Sequence, residues 1–370
     1  MDTSNALGVR LVPQLFGRHY TRADLERRVG RLDQIAGITP VELIDGRSHG
    51  VRAFDVATGS GFAFTAIADR ALDVARASYK GIALSWLSRN GIVAPAYYEP
   101  QGDAFLRLFF GGLFTTCGLT NFGPPGTDRW GSFGLHGRID ATPAEGVVHE
   151  TRWEGDECIL EIRGTIRQTR VFGEDLRLER CLRTKIGGSY LEIHDIVTNE
   201  SGKRVPHMIL YHCNGGFPLL GDSSELHLSQ SSMRPRDDEA KKGLDAWNQG
   251  GKPAPAFAEQ VFIHDPIACA DGRAAVVLHN AKLREDRGLA LAIRFDPAQL
   301  PALFTWRMLG YGTYVMGIEP ANCPTIEGRV KAEERGTLPF LEPGESRRYD
   351  LEFRILTQAD EIAAYLQQTS

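Results

Sequence analysis

The strongest constraint in this sequence is a two-residue rhythm. In DLRLERCLRTK, residues 175–185, Leu176, Leu178, Arg180 and Leu182 alternate with Arg177, Glu179, Cys181 and Arg183. FAFTA sets Phe62, Phe64 and Ala66 against Ala63 and Thr65, and YLEIHDIVTN and YDLEFRIL follow the same rule. Successive side chains of an extended chain point to opposite faces, so this pattern buries one row and leaves the other in water. Gly, Asn and Pro turns bound the alternating stretches, as expected for half-buried antiparallel strands. Many such strands with few helices predict an all-β fold, a large antiparallel β-sandwich with minor helices.

A chain of 370 residues could hold two average domains or one large β domain. No stretch has the look of an interdomain linker, which favours one sandwich domain over residues 43–370. Residues 1–42 then form an N-terminal extension with one helix packed on the outside. That helix is expected over 22–36, because Thr21 and Asp24 have capping-box spacing and Leu25, Val29, Leu32 and Ile35 share one helical face. Two segments resist assignment to strands, the Gly/Pro-rich run Gly111–Gly137 and the polar run Asp222–Glu259. Long irregular segments in a compact domain commonly form lids or rims of sites.

Some function classes fall away early. A net charge of −5 argues against nucleic-acid binding. Apolar runs such as GIALSWL are too short to cross a bilayer. Residues 1–17 carry an acidic residue at position 2 and no uninterrupted apolar core, so no secretory signal is read there. Cys117, Cys158, Cys181, Cys213, Cys269 and Cys323 form no C-x-x-C pair and read as free thiols of a cytoplasmic protein. There is no phosphate loop and no G-x-S-x-G elbow.

Three short stretches hold polar residues in apolar company. GLHGRID carries His136 and Arg138, HMILYHCNGGFPLL carries His212 and Asn214, and GTYVMGIEPANCPTIEG carries Glu319 at the end of an apolar strand. A carboxylate is costly to bury there unless paired or hydrogen-bonded. Taken singly, each has a plain explanation. A strand-end Glu is most often a rim residue or an ion-pair partner, and strand or loop histidines are common. Cys213 adjoins His212, but strand neighbours face opposite ways, which argues against a Cys–His dyad.

In this order, with LHG early, YHCN in the middle and GIEP late, the chain resembles the aldose 1-epimerase (galactose mutarotase-like) family. LEPGESRRYDLEFRIL resembles the family's closing turn and last strand, so the likeness runs from about Leu43 to the C-terminus. ADRALDVARASYKGIALSWLS, GGLFTTCGLTNFGPP and GLHGRI resemble a branch labelled aldose-epimerase-like or as a domain of unknown function. The resemblance implies that His212 is the general acid toward the sugar ring oxygen and Glu319 the base that takes the anomeric proton. It further implies that His136 hydrogen-bonds the sugar and that Arg70, in ADRALD, helps to bind it. Arg138 and Asn214 are expected as further substrate contacts. The family's hydroxyl-binding aspartate has no clear match, since Asp237, Asp238 and Asp245 all lie in the unassigned run.

These residue types suit ring opening by proton transfer, in which a carboxylate and an imidazole each contribute roughly 10²–10⁴-fold. The resemblance implies a small-molecule sugar as ligand and neither cofactor nor metal, and leaves a homodimer open. A zinc site built from His136, His212 and Glu319 stands second as chemistry, as does a sugar epimerase acting at another carbon. The non-enzymatic alternative is a sugar-binding module in which Trp86, Trp130, Trp247 or Trp306 stacks on sugar faces.

Overall fold

The computed structural model describes residues 12–369, so the reading of residues 1–17 lies largely outside the described part. Strand accounts for 47% and helix for 14% of the chain, and the strands build the two large antiparallel sheets of a β-sandwich. One sheet has eleven strands, running from Gly37–Leu43 at one edge to Gln230–Pro235 at the other. The other has eight, from Glu145–Glu154 to Ser224–Leu228.

The alternating segments are strands with the expected faces. Asp175–Lys185 buries every second residue without exception, and Tyr190–Asn199 and Ser346–Leu356 lie beside it in the eight-stranded sheet. Between the sheets lies a continuous apolar core that includes Phe62, Phe64, Leu176, Leu178, Leu182 and Phe353. Arg180 occupies one of the buried positions, fully enclosed, and its charge is met by Asp73 at 2.7 Å and Asp195 at 2.6 Å. Tyr211 donates to the same Asp195, and Thr116 to Asp73.

Three expectations need correction. The helix expected over 22–36 ends after one turn, Arg22–Glu26, and resumes only as a short 3-10 turn at Leu32–Gln34. The Thr21–Asp24 capping box does form, but the helix is capped at Arg27, and Gly30 and an extended Arg31 follow before Leu32 and Ile35 reach the core edge. The Gly111–Gly137 run holds Phe114–Cys117, a strand inside the eleven-stranded sheet that pairs with Leu210–Gly216. It shows no two-residue rhythm because both of its faces are buried. Asp222–Glu259 likewise contains two edge strands and a short helix, Asp238–Lys242. The strand Gly37–Leu43 spans the expected boundary after residue 42 and pairs fully with Val51–Ala57.

All six cysteines are free thiols. Among the described residues no helix is long and apolar enough to cross a membrane.

Candidate active site

His212 and Glu319 sit on adjacent strands of the larger sheet, Leu210–Gly216 and Thr313–Ala321, which run antiparallel. The pairing brings two residues far apart in sequence to 3.3 Å, from the His212 Nε2 to the Glu319 Oε1. Both are almost wholly enclosed, at 5% and 3% exposure. Although the two atoms are close, they are not aligned as a hydrogen bond, and Glu319 Oε1 has no other donor. His212 Nδ1 and Asn214 Oδ1 are also buried and unpartnered, so three of the six such side-chain atoms among the described residues gather at this one place. Buried polar atoms are normally satisfied, and a cluster that is not marks a site where a ligand or water supplies the partners.

Burial sets the proton affinities. It pushes the Glu319 carboxyl up to about 8, helped by the nearby Glu259 and opposed by Arg236. Burial lowers the His212 imidazole to about 3, with His136 adding to the effect, and lowers His136 to about 4. At neutral pH these shifts put a proton on the Glu319 carboxyl and leave both imidazoles neutral.

His136 belongs to the same pocket, its ring edge-on to His212 with centroids 5.8 Å apart. Its backbone is left-handed, φ 56, and is held there by hydrogen bonds to Gly123 and from Gly118. The next residue must be glycine, because a Cβ at Gly137 would stand 2.2 Å from the Gly118 carbonyl oxygen. The Gly123 N–H donates to His136 Nδ1 at 3.3 Å, which leaves the proton of the neutral ring on Nε2. Phe109 packs on His212 and Phe105 on His136, with centroids 4.9 and 5.0 Å apart. Trp306 meets His212 edge-on at 5.5 Å. These rings wall a cavity of about 300 Å³ above the two histidines and Glu319, at the small end of ligand cavities.

The remaining expectations divide. Asn214 adjoins His212 and donates to its carbonyl at 2.6 Å. Arg70 does not reach the pocket. It is fully buried, paired with Asp140 at 2.6 Å, and donates to the carbonyls of Val93 and Leu108, so its role is to fasten three segments together. Arg138 is exposed and lines a different cavity. Trp86 stands behind Trp306 and Phe109, Trp130 lines the same cavity as Arg138, and Trp247 packs on Phe262 and His264.

Two pocket residues carried no sequence signal of their own. Arg236 and Glu259 form an ion pair at 3.0 Å on the cavity wall, and the Trp306 indole donates to Glu259. They lie at the two ends of the helix-bearing part of the polar Asp222–Glu259 run, whose irregularity was the only pointer to a rim. Asp237 pairs with Arg236 and caps the short helix, Asp238 pairs with Lys241, and neither lines the cavity. Among the described residues no group of three or more His, Cys, Asp or Glu side chains is placed to hold a metal ion.

The family described as Domain of unknown function (DUF4432) matches residues 48–355. A candidate aldose 1-epimerase from Klebsiella pneumoniae superposes with a TM-score of 0.82 at 25% identity, covering 94% of this chain and 93% of that one. A galactose 1-epimerase from Lactobacillus acidophilus gives a TM-score of 0.57 at 12% identity over 87% of this chain and 99% of its own. A galactose mutarotase-like protein from Clostridium acetobutylicum gives 0.56 at 14% over 88% and 100%. No curated protein matches the sequence.

Proposed function

The chain belongs to the DUF4432 family, within the aldose 1-epimerase (galactose mutarotase-like) superfamily, and from that premise we propose that it is a sugar isomerase that interconverts anomers by acid/base ring opening. The observation that carries this reading is the buried, unbonded contact of 3.3 Å between His212 and Glu319. Two groups of shifted and opposed proton affinity, facing one small cavity, form an acid/base pair.

Ring opening removes the proton of the anomeric hydroxyl and gives one to the ring oxygen as the bond from C1 to that oxygen breaks. The aldehyde end rotates, and closure on its other face returns both protons. The family resemblance gives His212 the acid role and Glu319 the base role, whereas burial favours the pair's single proton on Glu319. Both arrangements contain the same one proton. Opening and closing use the pair in opposite senses, so each residue serves as acid in one direction and base in the other. The Nε2–H of His136 is a donor for a sugar oxygen, which stabilises charge developing there. Phe105, Phe109 and Trp306 keep bulk water out, and the Arg236–Glu259 pair offers polar contacts to ring hydroxyls.

The test is proton NMR exchange between α and β anomers, run over a panel of neutral, deoxy, acidic and sulfonated aldoses. Acceleration of at least one is expected. A protein that binds one of them tightly and accelerates none would instead be a sugar-binding module or an epimerase acting at another carbon.

A further inference from the structure

Neighbouring residues of one turn line two different cavities. Leu135 and His136 face the catalytic pocket, while Gly134 and Gly137 face a second cavity of about 110 Å³ into which Arg138 also projects. Four cations line the second cavity against one carboxylate, Glu174. Arg329 is neutralised by Asp128 through two hydrogen bonds of 2.7 and 2.9 Å, and Arg170 by Glu174 at 3.3 Å. Arg138 and Lys203 remain. Arg138 has no carboxylate partner among the described residues and lies over the Tyr98 ring at 5.7 Å, and Lys203 donates only to the Phe172 carbonyl at 2.7 Å.

Neutral donors complete the site. Thr120 and Gln168 are buried, Gln168 donates to the Thr120 hydroxyl at 3.2 Å, and that hydroxyl donates to no acceptor among the described residues. The Trp130 indole N–H is also without a protein acceptor among the described residues, although the ring lines the cavity. Two uncompensated positive charges and spare donors on several sides describe a receptor for an anion, since charge-assisted hydrogen bonds are the strong ones. Donors spread around the cavity suit a tetrahedral oxyanion better than a flat carboxylate, and the space suits one such group better than a whole sugar.

We propose that this cavity binds a phosphate- or sulfate-type oxyanion, at the back of the turn that holds His136. The oxyanion contacts Arg138, Lys203 and the Thr120 hydroxyl, while Arg170 and Arg329 keep their own carboxylates. This assignment does not depend on the isomerase reading.

Isothermal titration calorimetry with inorganic phosphate, at ionic strength matched by sodium chloride, tests it. Saturable binding is expected in the wild type, weakened roughly tenfold or more in an Arg138→Gln, Lys203→Gln double variant. Both side chains are exposed, so the double variant should fold. Glu319→Gln should bind phosphate as the wild type does, which separates this site from the acid/base pair. A hexose phosphate that binds more tightly than inorganic phosphate would assign the site to a substituent of a sugar, and equal or weaker binding would assign it to a free anion. No saturable heat beyond the chloride control, unchanged affinity in the double variant, or displacement of phosphate by unphosphorylated hexose would overturn the proposal.

Discussion

Glu319 is a carboxyl that keeps its proton near neutrality because burial disfavours its ionised form, and this has a cost that can be measured. Its affinity is about 8 in the fold against an ordinary 4.5, so the folded state holds the proton more tightly than the unfolded chain. A group raised in this way adds stability at low pH and loses it as pH climbs from about 4.5 to 8. Glutamine has the same shape and never ionises. Glu319→Gln is therefore expected to melt with the wild type near pH 4.5 and roughly a few degrees above it at pH 8.5, which thermal melts at the two pH values would show. A structural ion pair would give the opposite sign. The neighbouring glycine is a second lever, since a Cβ on Gly317 would stand 2.7 Å from Glu319 Oε1 and 2.8 Å from the Trp306 Cβ. Gly317→Ala should displace the carboxyl and slow anomeric exchange by about tenfold or more while the protein still folds. Gly30→Ala, which meets nothing within 4 Å, should leave the rate unchanged.

At the scale of elements, the rule that placed the strands also placed a charge in the core. Arg180 falls on the buried side of its strand by strict alternation, and the partners that make this tolerable, Asp73 and Asp195, come from other strands and could not be read from local pattern. Removing the cation strands two enclosed carboxyls. Arg180→Met is expected to cost about 3–5 kcal/mol, measured by denaturant unfolding. The loss should be smaller at pH 5 than at pH 8, because Asp73, already pushed up to about 6 by burial, can take a proton at the lower pH. Half-buried strands such as Asp175–Lys185 were legible in the sequence, and Phe114–Cys117 was not, because burial on both faces removes the polar beat. The helix was legible at its start, where the Thr21–Asp24 capping box forms, and not in its length, since it ends at Glu26 although Val29, Leu32 and Ile35 continue the helical spacing. Among the site residues, His136, His212 and Glu319 converge on one cavity and Asn214 bonds to the His212 backbone beside it, whereas Arg70 pairs with Asp140 and Arg138 lines another cavity. Sequence tells which residues are unusual for their surroundings. It does not tell which way a long arginine points.

For the molecule as a whole, the larger sheet sets the strands of His212 and Glu319 side by side, which is what the proposed proton transfer requires. In the proposed reaction the working form carries one proton on the His212–Glu319 pair, whichever residue holds it, and such a pair titrates as a unit. Above about 8 the proton leaves Glu319, and only below about 4 does a second arrive on the imidazoles. The most direct measurement is the rate of α to β exchange by NMR across pH, for wild type and Glu319→Gln side by side, with the best aldose of the panel. The account predicts a wild-type rate that is level between about pH 5 and 7 and falls as pH rises through 8. It predicts a Glu319→Gln rate lower by about 10²-fold or more, with sugar binding retained. A wild-type rate that climbs through pH 8, or a Glu319→Gln variant that exchanges anomers as fast as wild type, would contradict it.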